Sequence, residues 1–263
     1  MKTAKSRKLG GLIAVVVCLL AALPCCRAQS PVREVHVLAA ADLQSVLPAL
    51  AETFERTHKI KLVVSYGSTS TLATQILNGD PADLFLAADY SFPESIVAAN
   101  LADTTAPIPY ARGTLVLWAR KDSPLQPLTQ MTLRDGKFTT LAIANPDHAP
   151  YGRSAVAALM WMKLYEPLKP KIVQAENIAQ TAQFVESGNA QLGLISLTTA
   201  STEHMKQIGS FIRMPSVAYP VIRQCAVVMK KSAHRDEAHA FLDWLRSPDV
   251  QQGLPKYGLD SEH

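Results

Sequence analysis

The sequence predicts an α/β protein of two lobes, each built on a sheet covered by helices. Short runs rich in β-branched residues alternate with segments of helical periodicity, a pattern typical of a mostly parallel sheet flanked by helices. The alternation occurs in two successive units, and the chain would cross between them near residues 111–113 and 219–225. We therefore assign residues 29–112 and 220–263 to lobe 1 and residues 113–219 to lobe 2.

The first unit opens with a strand followed by a helix. Leu43, Leu47 and Leu50 are spaced for one face of that helix, and Pro48 predicts a kink or a loosened first turn because proline lacks an amide hydrogen. A second helix closes at Gly79. The predicted elements of this unit are strands at 34–40, 61–66 and 83–87 and helices from about 43 and at 71–78.

The second unit follows Pro107 and Pro109, which we take as a break between units. Met160, Trp161 and Met162 lie in one of its helices, and we expect their side chains in the core. The predicted strands are 113–120, 140–144, 191–195 and 221–229, and the predicted helices are 153–165, 178–187, 235–246 and 248–256.

Residues 1–28 are typical of a secretory signal peptide. Basic residues precede an apolar run that ends near Ala28, where we expect cleavage. The run is shorter than the roughly 20 residues that a bilayer-spanning helix needs, so we expect an exported, soluble protein. Lipidation at Cys25 or Cys26 is an alternative, although Leu23 and Pro24 suit it poorly.

The excess of basic over acidic residues in the chain comes from residues 1–28. The chain has 26 basic and 22 acidic residues, and the segment holds five basic residues and no acidic one, so 21 and 22 remain. A nearly neutral protein gives no indication of a nucleic-acid surface. Of the four cysteines only Cys225 lies outside the segment, so an internal disulfide is not expected.

Small polar residues recur where a predicted strand ends and a helix begins. Such positions are Asp42, the run 67–70 (GSTS), the run 150–152 (PYG) and Asn177. The first amides of a helix have no partner within it and face the positive end of its dipole. Four such helix starts in one cleft would bind an anion without lysine or arginine, and Ser68, Thr69 and Ser70 could add hydroxyl donors.

Taken singly, each of these residues has a simpler interpretation. Ser, Thr, Asp and Asn before a helix are common N-caps, and glycine is common in turns. The anion-site hypothesis therefore depends on finding four helix starts together in a two-unit, exported chain.

Seven segments also carry a family pattern, in order and at comparable spacing over nearly the whole chain after residue 28. They are 39–43 (AAADL), 66–76 (YGSTSTLATQI), 81–89 (PADLFLAAD), 141–152 (LAIANPDHAPYG), 175–178 (AENI), 188–193 (GNAQLG) and 256–259 (KYGL). In these segments the chain resembles the periplasmic molybdate-binding protein family. The resemblance implies a type II periplasmic-binding-protein fold, in which two α/β lobes joined by a double-crossover hinge hold a tetrahedral oxyanion.

The resemblance also implies the ligand-binding positions. They fall on Asp42, Ser68, Thr69, Tyr151, Ile178 and Ser196. Thr69 replaces the expected serine and keeps its hydroxyl, so this departure is mild. Ser196 stands where some members have a tyrosine, so it keeps a donor but loses reach, which leaves the contact to Tyr151 or water as an alternative. Asp42 stands where a serine or asparagine is usual, and a carboxylate there would repel a dianion. We favour an Asp42 side chain turned back as an N-cap; the alternatives are a changed ligand, a protonated carboxyl or a protonated oxyanion.

The function implied by the resemblance is capture of molybdate or tungstate and delivery to an ABC transporter permease in the inner membrane. We expect a periplasmic monomer that is not an enzyme and uses no cofactor. Three alternatives stay open: the same fold with a different small oxyanion or solute, a receptor-linked sensor, and an exported serine hydrolase using Ser68 or Ser70. A metal or catalytic pair at Asp147 and His148 is a weaker candidate, because adjacent residues in a loop seldom converge on one ion.

Overall fold

Two β-sheets flanked by helices make up the part of the chain that the computed structural model describes, residues 33–262. The predicted signal peptide, residues 1–28, lies outside the described residues. Within residues 33–262, no helix has the length and apolar character needed to cross a bilayer.

The strands and helices are as follows. The strands are β1 Arg33–Ala40, β2 Ile60–Gly67, β3 Leu84–Ala87, β4 Ile108–Gly113, β5 Leu115–Arg120, β6 Leu141–Ala144, β7 Ile172–Ala175, β8 Leu192–Ser196, β9 Gly209–Arg213, β10 Ile222–Val228 and β11 Leu259–Asp260. The α-helices are α1 Leu47–His58, α2 Thr69–Leu77, α3 Ser91–Ala98, α4 Thr132–Asp135, α5 Pro150–Trp161, α6 Tyr165–Leu168, α7 Ile178–Glu186, α8 Leu197–Ala200, α9 Glu203–Ile208, α10 Arg235–Leu245 and α11 Pro248–Gly253. Short 3-10 helices cover Ala41–Ser45, Lys169–Lys171, Ser216–Ala218 and Leu254–Tyr257.

Both sheets are mixed. The sheet of lobe 1 has the order β11-β4-β10-β3-β1-β2, and the sheet of lobe 2 has the order β7-β6-β8-β5-β9. Parallel pairs join β1 to β2 and β3, and β6 to β7 and β8, whereas the other pairs are antiparallel. The predicted mostly parallel sheets are therefore wrong. Every antiparallel pair includes β4, β5 or β10, the strands next to the points where the chain passes between the two sheets.

The chain passes between the sheets at two adjacent points. Only Thr114 separates β4 from β5, and the two strands belong to different sheets. The predicted strand 113–120 corresponds to β5, with Gly113 at its start being the last residue of β4. The return lies between β9 and β10, and Ile222 at the start of β10 pairs with Gly113 at the end of β4. Leu259 of β11 pairs with Gly113 as well. Three strand ends therefore meet where the lobes are joined.

Apolar side chains cover both faces of each sheet. In lobe 1 one cluster surrounds Phe54 and a second surrounds Phe85, and in lobe 2 clusters form around Leu141 and Trp118. Burial on both faces explains the nearly continuous apolar sequence of the central strands. These cores fix the strand ends from which the site is built.

The structure tests two local predictions, one about Pro48 and one about the side chains of residues 160–162. Pro48 falls in the first turn of α1, where its missing amide hydrogen costs no helical bond, and a separate 3-10 helix, Ala41–Ser45, precedes it. The expected core position is right for Met162 but wrong for Met160 and Trp161, which are 56% and 57% exposed. Met160 and Trp161 are the last two residues of α5, on a face of the helix that is turned to solvent.

Candidate binding site between the lobes

A small cavity lies where four helical segments begin. The segments are the 3-10 helix after β1, α2 after β2, α5 after β6 and α7 after β7, so two come from each lobe. The structure thus brings together the four helix starts that the sequence singled out. The cavity is lined by Ala41, Asp42, Gly67, Ser68, Thr69, Ala88, Ala149, Pro150, Tyr151, Asn177 and Ile178.

The helix starts differ in how their amides are satisfied. Ser68 precedes α2 in an extended conformation without capping it through its side chain. The N-cap of α5, Ala149, has no polar side chain that could cap the helix. Asn177 does cap α7, accepting a hydrogen bond from the amide of Gln180 at 3.0 Å. The simple N-cap interpretation is therefore right for Asn177 and wrong for Ser68. The amides of Tyr151 and Ile178 belong to first turns, so they have no partner within their helices.

The cavity is very small. Its volume is about 10 Å³, close to what one water molecule requires. None of the lining residues is a lysine or arginine. A space of this size, surrounded by amide and hydroxyl donors, suits a small ion better than an amino acid or a sugar.

Two hydroxyl side chains of lobe 1 are buried at the cavity. Ser68 and Thr69 are 4% and 1% exposed. The Ser68 hydroxyl donates to Thr71 Oγ1 at 2.7 Å, and Thr69 Oγ1 accepts from the amide of Ala88 at 3.4 Å. A hydroxyl hydrogen can rotate to a better acceptor, so both side chains can donate into the cavity.

The Asp42 side chain is not an N-cap, contrary to the interpretation that we favoured from the sequence. Its Oδ2 accepts one hydrogen bond from the hydroxyl of Tyr151 at 3.2 Å and another from the amide of Gln224. The Gln224 amide oxygen in turn accepts from the hydroxyl of Tyr110 at 3.0 Å. Because Tyr151 lies in lobe 2 and the other three residues in lobe 1, this buried network links the two lobes.

The room for this contact depends on Gly113. A Cβ atom at that position would lie 2.2 Å from the Tyr151 hydroxyl oxygen. Any larger residue would displace the tyrosine from Asp42. The glycine at the lobe junction is therefore part of the site.

Burial dominates the electrostatics of the network. It raises the pKa of the fully buried Asp42 carboxyl from 3.8 to about 7, although hydrogen bonds from Gln224 and Tyr151 act in the opposite direction. Burial, reinforced by the nearby Asp42, also raises the pKa of Tyr110 and Tyr151 well above the usual value for tyrosine. Both phenols therefore stay protonated as donors at neutral pH.

Ser196 does not line the cavity, although the sequence placed it among the ligand contacts. Its hydroxyl caps α8 by accepting from the amide of Thr199, and its Oγ lies 2.8 Å from Thr198 Oγ1. The Thr198 hydroxyl donates to the backbone oxygen of Asp42 at 2.8 Å. Ser196 therefore contributes indirectly. It caps the turn of lobe 2 that contains Thr198, and Thr198 contacts the backbone of Asp42.

Further contacts join the lobes at the rim of the cavity. The amide of Ser70 donates to the backbone oxygen of His148 at 3.1 Å. Arg153 of α5 forms an ion pair with Asp89 of lobe 1, and its guanidinium lies 5.3 Å from the ring centre of Phe92. These contacts hold the lobes together around the cavity.

The structure gives little support to chemistry at the weaker candidates. His148 pairs with Glu176 at 3.1 Å rather than with the exposed Asp147. Within residues 33–262, no group of three or more His, Cys, Asp or Glu side chains could hold a metal ion. In the same range, no histidine side chain forms a hydrogen bond with Ser68 or Ser70, as a serine nucleophile would require.

Sequence analysis missed three polar residues of the site. Gln224 and Tyr110 complete the Asp42 network, and Thr198 supports its backbone. The available signal was Gln224 itself, a polar residue directly before the apolar run 225–229 in the strand predicted at 221–229. A fully buried amide of this kind requires hydrogen-bond partners.

Comparison with known proteins gives matches along most of the chain. The model of a family described as bacterial extracellular solute-binding protein matches residues 35–260. The molybdate-binding protein ModA of Azotobacter vinelandii is 36% identical over 244 residues, which cover 93% of this chain and 96% of that protein. The molybdate-binding protein ModA of Rhodobacter capsulatus is 33% identical over 198 residues, which cover 75% and 77%.

A solved structure agrees with these matches. The periplasmic molybdate-binding protein of Azotobacter vinelandii superposes with a TM-score of 0.82 at 29% sequence identity, covering 87% of this chain and all of that chain. This likeness confirms the fold expected from the sequence, with two α/β lobes around a central cleft.

Proposed function

Because this chain belongs to the bacterial extracellular solute-binding protein family, we propose that it captures molybdate or tungstate between its lobes and delivers it to an ABC transporter. The observation that carries the proposal is the cavity at which four helix starts, two from each lobe, converge without a lysine or arginine. The ModA relatives named molybdate-binding support this cargo.

The donors of the site suit a tetrahedral dianion. We assign amide donors to Tyr151 and Ile178 and hydroxyl donors to Ser68 and Thr69, with Asp42 as the fifth ligand position. Helix starts supply partial positive charge that is already oriented, so the donors need little reorganisation when the anion loses its water shell. A neutral cage also avoids an unpaired buried cation in the empty protein, which would be costly.

Closure would complete the cage. An open form binds the anion on one lobe, and rotation at the two adjacent crossings then brings the donors of the other lobe into place. The Tyr151–Asp42 hydrogen bond and the Arg153–Asp89 ion pair join the two lobes, so we expect both to break when the lobes open. The closed form would be the one that the permease of the transporter recognises.

The proposed location is the periplasm. Residues 1–28 would direct export and be removed near Ala28, leaving a monomer that acts as a binding protein and not as an enzyme. The periplasmic relative of known structure supports this location. A second candidate, the same fold with a different small oxyanion, is favoured by one observation, the buried carboxyl of Asp42 in the cage.

Calorimetric titration of residues 29–263 with molybdate, tungstate, sulfate and phosphate tests the proposal. We expect one site that binds molybdate and tungstate about 100-fold more tightly than the other two anions, a difference of about 2.7 kcal/mol. Tightest binding of sulfate or phosphate would favour the second candidate. Absence of binding by all four anions would reject an oxyanion function.

Removal of one hydroxyl donor should weaken binding. Ser68→Ala takes away a hydrogen bond to a charged ligand, worth about 1.5–3 kcal/mol, so we expect molybdate affinity to fall by roughly 10- to 150-fold. Ser187→Ala is the matched control, because Ser187 is exposed at the end of α7 and its hydroxyl bonds only to the backbone of Phe184. Equal affinities for the two variants would remove Ser68 from the site.

Loss of the ion pair across the rim should speed release. Arg153→Gln removes a partly exposed pair worth about 0.5–1 kcal/mol, so the rate of molybdate release should rise roughly threefold while capture is little changed. Release of radiolabelled molybdate after a chase with unlabelled molybdate measures this rate. Arg120→Gln breaks a pair within lobe 2 and serves as the control; the same rate for both variants would contradict a role in closure.

A further inference from the structure

The two oxygens of the Asp42 carboxyl have different surroundings. Oδ2 accepts hydrogen bonds from Tyr151 and Gln224. Oδ1 is buried and has no hydrogen-bond partner among the described residues. Asp42 also lines the cavity. One oxygen is thus occupied by donors of the protein, and the other is left for a partner that the protein does not supply.

The groups around Asp42 are uncharged at neutral pH. They are Tyr151 of α5, Gln224 and the neighbouring Cys225 of β10, Tyr110 of β4 and Thr198 of α8. Helices α1 and α7 and strands β1 and β2 also pack on the 3-10 helix that carries Asp42. Tyr219 lies close enough to Tyr151 to influence its pKa. No cation balances a carboxylate in this network, and an ionised oxygen buried without a donor is costly.

The neutral carboxyl fits the same surroundings without this cost. Because Oδ2 already accepts two hydrogen bonds, the proton belongs on Oδ1. A protonated Oδ1 is a hydrogen-bond donor. No described residue accepts a hydrogen bond from it. An oxyanion in the cavity supplies such acceptors.

Building on the proposed function, we infer that Asp42 links anion capture to a proton: protonated Oδ1 donates a hydrogen bond to an oxygen of the bound oxyanion. When the empty protein holds Asp42 as carboxylate, capture takes one proton from solvent, which joins Oδ1 as the anion enters. When Asp42 is already protonated, no proton is exchanged. Release of the anion allows the proton to return to solvent.

The direction of the pH dependence follows from this linkage. Burial places the pKa of Asp42 near 7 in the empty protein, and a bound dianion raises the pKa further because it repels the carboxylate. Below pH 7 Asp42 is already protonated in the empty protein, so the affinity for the anion is insensitive to pH. Above pH 7 affinity should fall up to about tenfold per pH unit, and proton uptake should approach one per anion.

Calorimetry with molybdate at pH 6.0 and 8.5, in two buffers of different ionisation enthalpy at each pH, counts the protons taken up. These pH values are about one unit below and about one and a half units above the expected pKa. Asp42→Asn keeps the shape and a donor but cannot ionise. Asp147→Asn is the matched control, since Asp147 is an exposed carboxylate in the loop before α5.

For the wild type and Asp147→Asn we expect nearly one proton taken up at pH 8.5 and almost none at pH 6.0. At pH 8.5 Asp42→Asn should take up no proton and bind about 30-fold more tightly than the wild type. Tight molybdate binding by the wild type without proton uptake at pH 8.5 would overturn this inference and leave the proposed function intact. Failure of the wild type to bind any of the four oxyanions at either pH would reject both.

Discussion

Replacement of Gly152 by alanine should destabilise the protein and abolish tight binding. A Cβ atom at Gly152 would lie 2.3 Å from the backbone oxygen of Ala144 and 2.8 Å from the carbonyl carbon of Asn145. Backbone atoms cannot rotate away as a side chain can, so α5 would have to move off β6. We expect the free energy of unfolding to fall by about 3 kcal/mol, at the upper end of overpacking costs.

The same shift would move the amide and hydroxyl of Tyr151 out of the site. Urea denaturation and molybdate titration measure the two effects. Gly253→Ala is the matched control, because a Cβ there would meet only the flexible Lys256 side chain at 3.8 Å; it should be neutral or slightly stabilising. If Gly152→Ala behaved like this control, the close packing of α5 on β6 would be wrong.

Stability of the ligand-free protein should fall as the pH rises, and Asp42→Asn should remove this fall. The folded-state pKa of Asp42, about 7, lies above the value of 3.8 for an unperturbed aspartate. Between these values the folded protein holds a proton that the unfolded chain has lost. The contribution is fully present below about pH 4 and is lost by the time the pH has passed 7, a total of about 4 kcal/mol at 1.36 kcal/mol per pKa unit.

Urea denaturation of the ligand-free protein at pH 4.5, 6 and 8 measures this dependence as the difference between wild type and variant, which cancels other titrating groups. Asp147→Asn should track the wild type because its carboxylate is exposed. A difference that stays constant across the range would mean that Asp42 is ionised in the folded protein at all three values.

Much of the fold follows from local patterns. Strands β1, β2 and β6, which end at the cavity, and the helices that begin there were predicted because apolar strand-like runs give way to helical spacing at small polar residues. Strand β7, Ile172–Ala175, was not predicted. Strand β4 was missed because Pro107 and Pro109 indicated a break. The structure tolerates Pro109 because it pairs with Cys225 beside a bulge at Gln224 and Cys225, where the ladder of hydrogen bonds is already interrupted.

The hydrogen-bond partners of the Asp42 carboxyl could not be predicted from local patterns. Its local sequence, an acid before a helix, is typical of an N-cap. Its actual partners are Tyr151 and Gln224, which are 109 and 182 residues away in the chain. Contacts of such long range are set by how two sheets pack together, and no pattern within a short segment records them. The predicted ligand contact of Ser196 could not be checked from local sequence for the same reason. Thr198 lies between Ser196 and Asp42 in the folded protein.

The last strand of the chain ties itself to the junction of the lobes. Leu259 pairs with Gly113, and Asp260 Oδ2 accepts a hydrogen bond from the hydroxyl of Thr114, the single residue between β4 and β5. A bulky fusion or affinity tag placed directly after this strand would therefore lie against the junction about which the lobes rotate. For a fluorescent reporter of anion capture, labels belong instead on the outer edges of the lobes, where a small rotation produces the longest displacement.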